Sequence, residues 1–368
     1  MKIQTTKESL LPSLLQAASV VERRQTLPIL SNLFFKLDPG GLSITGTDME
    51  VEIKTRVEVE SGDEGEFTVP ARKLVEICKA LPAESRIVLD VETDKVTIRS
   101  GRGRFTLSTL PPADFPMLEV TAATHYLKID QERLKRLLDK TAFAMALQDI
   151  RYYLNGMLLE GRPGRLRTVA TDGHRLALCD VEMDSESVPE LQVIIPRKAV
   201  LELNRLLDAG SDAPPLELQF SPGFMKVDFG HSSFATKLVE GRYPPYEKAI
   251  PRADTEDLVA DRESLRQALT RTAVLSNEKY RGVRFHAEPG LLNLMTHNPE
   301  HEVAEEELEV DYQGKAMTLG FNVKYLLDVL GALEGERVRF GLIDPSSGCL
   351  ITGEEGSGLE YVVMPMRI

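Results

Sequence analysis

The sequence predicts an α+β protein built from three copies of one domain, each with two helices packed on antiparallel sheets. Three observations carry that expectation. Leu42, Leu166 and Leu292 each stand six residues before Asp48, Asp172 and Asn298, on spacings of 124 and then 126 residues. Pro70, Pro196 and Asn322 are 126 residues apart both times. Between these markers run short segments of alternating apolar and polar residues, the pattern of half-buried strands.

Each copy opens on a helical pattern, Lys7–Leu15, and continues into strands at Leu33–Leu37 and Leu42–Asp48. The order returns with Gln131–Leu138, Gly156–Glu160 and Leu166–Asp172, and again with Arg262–Leu269, Gly282–Ala287 and Leu292–Asn298. A second half-unit follows in every copy. Val69-Pro70-Ala71-Arg72-Lys73-Leu74 answers to Ile195-Pro196-Arg197-Lys198-Ala199-Val200 and to Phe321-Asn322-Val323-Lys324-Tyr325-Leu326. Pro or Asn there marks a strand turning into a helix. Strands such as Arg86–Val91 and Lys95–Arg99 come next. The spacing predicts helices over 7–19, 71–81, 131–146, 197–208, 262–275 and 323–333. Polar, strand-poor stretches near Val120–Thr124 and Pro251–Asp257 divide the chain into domains 1–121, 122–251 and 252–368.

Composition excludes several classes. With 42% hydrophobic and 27% charged residues, the chain is neither disordered nor fibrous. The longest apolar run, Leu10–Val21, is broken by Pro12, Ser13 and Gln16, well short of the roughly 18 residues of a membrane span. The first residues have no hydrophobic signal core, and Cys78, Cys179 and Cys349 lie far apart. Both features point to a reducing, cytoplasmic setting.

A net charge of −13 argues at first against nucleic acid as a partner. The charge is segregated, however. The six predicted helices sum to +7, leaving −20 for the rest of the chain. One face then suits phosphates while another repels them. Arg23-Arg24, Arg151 and Lys279 with Arg281 add cations between helix and strand, where they also complement helix dipoles. In Gln148-Asp149-Ile150-Arg151-Tyr152-Tyr153-Leu154 a cation adjoins two aromatics. That composition suits base stacking, although a half-buried strand opening accounts for it more simply.

Other signals read as structure. His297 and His301 flank Pro299, which suits a turn better than a helical metal pair. Asp172-Gly173-His174-Arg175 has no nucleophile spacing, and its counterpart Asp48-Met49-Glu50 lacks the histidine. Gly101-Arg102-Gly103-Arg104 falls in a hairpin turn. The five glutamates of Glu302–Glu309 protect a strand edge or form half of an electrostatic interface. No phosphate loop, catalytic triad or metal box is present in the sequence. Two other functional classes fit the sequence less well. A sequence-specific DNA-binding regulator needs a dense recognition helix, whereas the cations here are spread over several helices. A carboxylate hydrolase needs paired acids that break the repeat, and none do.

The chain resembles the bacterial DNA polymerase III beta subunit family, the DNA sliding clamps. The segments that carry the resemblance are Thr26–Leu30, Val69–Lys73, Ser108–Pro116, Gln148–Met157, Ala170–Leu176, Leu275–Lys279 and Tyr361–Ile368. The resemblance implies the DNA-clamp fold and a ring: a head-to-tail homodimer encircling duplex DNA, helices inward and sheets outward. It implies no catalysis, no cofactor and no metal. Partners would be duplex DNA, the polymerase III catalytic subunit and other polymerases, and an ATP-driven clamp loader. They would dock short peptides in a pocket of Leu154, Thr171, Gly173, His174, Arg175, Leu176, Pro244, Val362, Val363, Met364, Pro365, Met366 and Arg367. Met and Pro suit an adaptable apolar groove, and Arg175 and Arg367 would hold polar peptide atoms. Lys248, Ala249 and Ser346 depart from the family pattern at the pocket's rim. DNA contacts would come from Arg24, Arg72, Gln148, Tyr152, Tyr153, Arg197 and Lys198. The dimer interface would set Phe105 and Leu107 against Val274 and Leu275, with Lys73 facing acids in Glu300–Glu306.

Overall fold

The computed structural model describes the chain except residues 23–26, 186, 209, 211–212, 253–254 and 368. Six α-helices stand among the described residues: α1 (Lys7–Ala18), α2 (Ala71–Ala80), α3 (Gln131–Thr141), α4 (Arg197–Leu206), α5 (Arg262–Ala273) and α6 (Val323–Ala332). Side-chain caps fix several starts. Thr6 accepts from Ser9 N at the head of α1, Asp261 from Ser264 N at α5, and Asn322 from Lys324 N at α6. The third helix is shorter than its sequence pattern. It stops at Thr141 and tightens into a 3₁₀ turn, Ala142–Ala144. There the Ala142 and Met145 carbonyls accept from the Arg197 guanidinium, at 3.5 and 3.3 Å. Among the described residues no helix is long and apolar enough to cross a membrane.

By compactness the chain falls into two units, Met1–Gln131 with Leu201–Asp208 and Asp212–Leu238, and the remainder. The first holds a five-stranded sheet in the order Ser61–Gly62, Lys2–Thr6, Arg86–Val91, Lys95–Ser100, Gly103–Ser108. It also holds an eight-stranded sheet. Four of those strands (Asn32–Asp38, Gly41–Thr47, Val51–Val57, Gly65–Pro70) come from the first sequence repeat. The other four (His125–Ile129, Leu216–Ser221, Phe224–Asp228, Ser232–Lys237) come from the second. The second unit repeats the device. Its eight-stranded sheet joins Gly156–Arg162, Arg165–Thr171, Arg175–Glu182 and Leu191–Pro196 to Glu256–Asp261, Arg337–Leu342, Cys349–Thr352 and Leu359–Val363. A four-stranded sheet runs Val303–Glu309, Leu291–His297, Gly282–Glu288, Met317–Asn322. Every pairing is antiparallel. The middle stretch, expected as domain 122–251, thus gives strands to both units, because each half-repeat completes its sheet on a neighbour.

The two junctions are built alike. Val51–Val57 meets Ser232–Lys237 with Ile53 opposite Phe234, and Arg175–Glu182 meets Leu359–Val363 with Ala177 opposite Tyr361. Both aromatics are fully buried. His297 ends a strand and His301 sits in the hairpin turn that follows, Asn298–Glu302, while Gly101-Arg102 forms the hairpin that closes Ser100 on Gly103.

In the first unit α1 lies so close to its sheet that a Cβ on Gly46 would stand 2.0 Å from the Ala17 carbonyl oxygen. Gly331, near the end of α6, has open space around it instead. The two glycines should respond with opposite signs. Gly46→Ala forces helix and sheet apart and should lower stability by about 1–3 kcal/mol. Gly331→Ala relieves backbone entropy in a helix and should raise it by up to about 1 kcal/mol. Calorimetric melting of both variants checks the pair.

In the second unit, Arg136 and Lys140 of α3 both reach Glu334, just beyond α6, with Lys140 Nζ at 2.9 Å. The hydrogen bond from Arg136 is the main cause that holds the Glu334 carboxyl down at about 2, against an ordinary 4.5. A carboxylate with a depressed folded pKa stabilises above its unfolded value and loses that contribution as pH falls towards the folded one. Glu334→Gln should therefore flatten the acid limb of the stability curve between about pH 4.5 and 2, read by urea unfolding.

Candidate functional site

An apolar concavity lies in the second unit, on the sheet that joins the second and third repeats. Its wall begins at a 3₁₀ turn, Tyr152–Asn155, that replaces the expected strand opening. Asn155 ties this turn back on itself: its Oδ1 accepts from Asp149 N and its Nδ2 donates to the Asp149 carbonyl, both at 2.8 Å. Arg151 donates from Nε and Nη2 to the Asp149 carboxylate at 3.0 and 2.8 Å, which holds that carboxyl at about 2. The opposing turn, Asp172–Arg175, is equally fixed. Asp172 Oδ1 accepts from the backbone N–H groups of His174 and Arg175, and Gly173 takes φ +88°, a left-handed conformation open to glycine.

These elements enclose a cavity of about 220 Å³. Of the expected pocket residues, Leu154, Thr171, Gly173, Arg175, Leu176, Pro244, Val362 and Met364 line it. Five further residues line the cavity without having been expected there: Arg151, Tyr153, Pro245, Tyr246 and Ala249, the last named only at the rim. The Tyr243–Tyr246 segment with its paired prolines was the available signal. Lys248 and Ser346 are not part of the lining.

The tail divides by strand parity. Val362 and Met364 face the cavity, whereas Val363 is fully buried on the other face, opposite Arg175 and Cys349. His174 points to solvent and contributes only its carbonyl, which accepts from Met364 N at 2.8 Å. Pro365 lies outside the lining. Met366 donates its N–H to the Gly320 carbonyl at 2.8 Å, and with Arg367 it lines a different cavity.

Arg175 is not available to a ligand in the way the sequence suggested. Its Nε donates to Asp172 at 3.1 Å, Nη1 to Asp328 at 2.5 Å and Nη2 to the Phe143 carbonyl at 2.5 Å. The guanidinium also stacks 4.4 Å from the Tyr325 ring centroid. Arg175 is a strut between repeats.

Beneath the cavity Tyr246 joins a charged network. Arg167 pairs with Asp180 through two 2.6 Å hydrogen bonds and donates to Tyr246 Oη at 3.0 Å. Tyr246 in turn donates to the buried Glu160 at 3.3 Å, which also accepts from Gln192 and pairs with Arg162. Burial chiefly raises the Tyr246 pKa, so the phenol stays protonated. Tyr246→Phe keeps the ring and deletes both bonds. It should cost about 1–2 kcal/mol in chemical unfolding, because hydrogen bonds to charged partners are lost in a dry setting.

The residues expected to meet DNA are more scattered. Arg24 lies outside the described residues. Arg72 is exposed on α2 and pairs with Glu76 at 2.8 Å. Gln148 is exposed with φ +55°. Tyr152 is 59% exposed and meets Tyr153 edge-on at 5.8 Å, whereas Tyr153 turns into the cavity. Arg197 is half-buried against carbonyls, and burial followed by Arg175 lowers its pKa. Lys198 is half-buried on the same helix. Of the expected interface residues, Phe105 is 38% exposed and Val274 77% exposed, Lys73 is exposed, Leu275 half-buried and Leu107 buried. Among the described residues no cluster of His, Cys, Asp or Glu is arranged to hold a metal.

Comparison with known proteins gives one answer along the whole chain. Profiles of the DNA polymerase III beta subunit match its N-terminal domain at residues 1–119, its central domain at 128–245 and its C-terminal domain at 247–367. The beta sliding clamp of Pseudomonas aeruginosa is 50% identical over 363 residues, 98% of each chain. That of Escherichia coli is 46% identical over 369 residues, with both chains fully covered. The crystal structure of the Pseudomonas aeruginosa DNA polymerase III subunit beta superposes with a TM-score of 0.94 at 48% identity and full coverage of both chains. The Caulobacter crescentus pol III beta structure gives 0.94 at 37%, again with full coverage. The reading as a sequence-specific regulator finds no support in them.

Proposed function

The chain belongs to the DNA polymerase III beta subunit family, the DNA sliding clamps, which are non-catalytic processivity factors, and from that premise we propose how this chain assembles and what it holds. Two copies join head to tail into a ring around duplex DNA, each built from domains 1–121, 122–251 and 252–368. The ring acts in the cytoplasm and is opened by an ATP-driven loader. Three buried, unpaired thiols accord with a reducing compartment.

The observation that carries the dimer is the unfinished edge. Each of the four sheets among the described residues is open, and two of the edge strands are Gly103–Ser108 and Val303–Glu309. They hold the same places in their half-repeats as the strands that meet at the two internal junctions. Gly103 follows its hairpin as Ser232 does, since Ser100 faces Gly103 and Phe229 bonds Ser232. Glu302 gives its carbonyl to Asn298 as Val51 does to Asp48 and Arg175 to Asp172. Carrying the internal register across places Phe105 opposite Ala304 and Arg104 opposite Glu305 of the second copy. Phe105 then stands where Phe234 and Tyr361 are buried, which explains an aromatic on a core face with 38% of its surface in solvent. The exposed Arg102 and Arg104 would meet the glutamates of Glu302–Glu309, and Val274 and Leu275 would add the apolar flank.

The cavity lined by Leu154, Leu176, Val362 and Met364 is the seat for partner peptides of polymerases. Its walls are apolar, its turns are rigid before binding, and the pinned Arg175 keeps both repeats in register around it. DNA contact falls to Arg24, Arg72, Gln148, Tyr152 and Lys198, which read phosphate rather than sequence. Arg197 contributes mainly charge, because its donors are already engaged.

Three experiments test the assembly. Protein loaded on a nicked circular duplex should survive a salt wash that strips an ordinary phosphate binder roughly a thousandfold, and should run off once the circle is linearised. Equal retention on both forms would reject the ring. The double variant Arg104→Cys, Glu305→Cys should form an intermolecular disulfide under mild oxidation and lock the dimer on gels. Phe105→Asp should instead give a folded monomer in sedimentation, at a cost of several kcal/mol in association, about the penalty of an unpaired charge in an apolar contact.

A further inference from the structure

The tail residues Met366 and Arg367 leave the first cavity and wall a second one, of about 280 Å³, with Asn277, Tyr280, Gly282 and His297. Its position is not arbitrary. Asn277, Tyr280, Gly282 and His297 each follow Arg151, Leu154, Gly156 and Thr171 by 126 residues, the repeat period. The third repeat therefore opens a cavity at the same place as the second repeat, with different chemistry. Leu154 is replaced by Tyr280, 56% exposed, and Thr171 by His297. In the first repeat the corresponding place is filled: Leu30, the counterpart of Leu154, is packed with Ile29, Phe34 and Phe115.

None of the six lining residues is acidic, and one of them, the exposed Arg367, is a cation. Lys279 Nζ sits 5.1 Å from the Tyr280 ring centroid and brings a second positive charge to the same edge. The tail is a shared wall. Met364 faces the first cavity and Met366 the second, two residues on, about 7 Å along an extended chain. A peptide seated in the first cavity needs only a few more residues to reach the second.

Resting on the peptide-seat reading above, we propose that the second cavity takes an acidic flank of the partner peptide. Carboxylates would meet Arg367, with Lys279 near and the apolar stem of the flank against Tyr280 and Met366. The apolar core of a partner would thus be read in the second repeat and its charge in the third.

The test compares a synthetic polymerase-derived peptide reduced to its apolar core with the same peptide extended at either end by Asp-Asp-Glu. Titration calorimetry at low salt should show at least a fivefold tighter binding for one of the two extensions. That gain should vanish at high salt, as a solvent-accessible charge contact requires. Tyr280→Ala should erase most of the gain and leave the affinity of the core peptide within twofold. Arg367→Gln, read only by the difference between extended and core peptide, should erase it too. If the core binds normally but neither extension helps, or if the gain persists in both variants, the inference is overturned while the peptide seat stands. If the core itself does not bind, both fall. A single-stranded hexathymidylate that loses affinity in Tyr280→Ala and is not displaced by the extended peptide would assign the cavity to nucleic acid and overturn it as well.

Discussion

Unpaired strand edges are the constraint that organises this chain. A sheet that stops exposes a row of backbone donors and acceptors, and a folded protein must pair them, cover them or charge them. Here the solution is mutual completion. Val51–Val57 finishes on Ser232–Lys237 and Arg175–Glu182 on Leu359–Val363, so that no repeat is whole without its neighbour. The aromatics at the two seams, Phe234 and Tyr361, are fully buried and each is paired with a strand from another repeat.

The apolar cavity is a by-product of the same arrangement. It forms where one seam ends, between the turn after Thr171 and the last residues of Leu359–Val363. Its rigidity comes from polar groups around it rather than from its lining. Asp149 with Arg151 and Asn155 fixes one wall, Asp172 fixes the facing turn, and Arg167, Asp180 and Glu160 hold the Tyr246 ring from below. A groove whose shape is set before a ligand arrives loses little entropy on binding.

Much of this was legible in the sequence, for identifiable reasons. The repeat was visible because its turn residues recur at a fixed period, and the helix starts because Pro70, Pro196 and Asn322 punctuate them. The helices proved shorter at their C-termini, most of all at Thr141, where a side chain 55 residues away takes the carbonyls. No local pattern reports that. The lining of the cavity was named through the family resemblance where it lies on strands, as at Leu176 and Val362. It was missed at Pro245 and Tyr246, which reach the site from a connecting segment. Arg175 lines the cavity, but its partners Asp328 and Tyr325 belong to another repeat, and no spacing rule links them. Alternation also separates Val363 from Val362 and Met364, a distinction a motif read as a block does not make.

Seams between distant segments have a consequence in time. Val51–Val57 finds its edge partner roughly 180 residues later in the chain, and Arg175–Glu182 waits about as long for Leu359–Val363. At ribosomal rates of about 5–20 residues per second, each edge stays open on the nascent chain for some ~10–40 s. During synthesis the molecule therefore carries a bare, β-rich edge for far longer than a hairpin takes to close, and two nascent copies on one messenger would present the same edge to each other. Slowing translation through residues 57–232 should be more damaging to yield than slowing it anywhere after Val363.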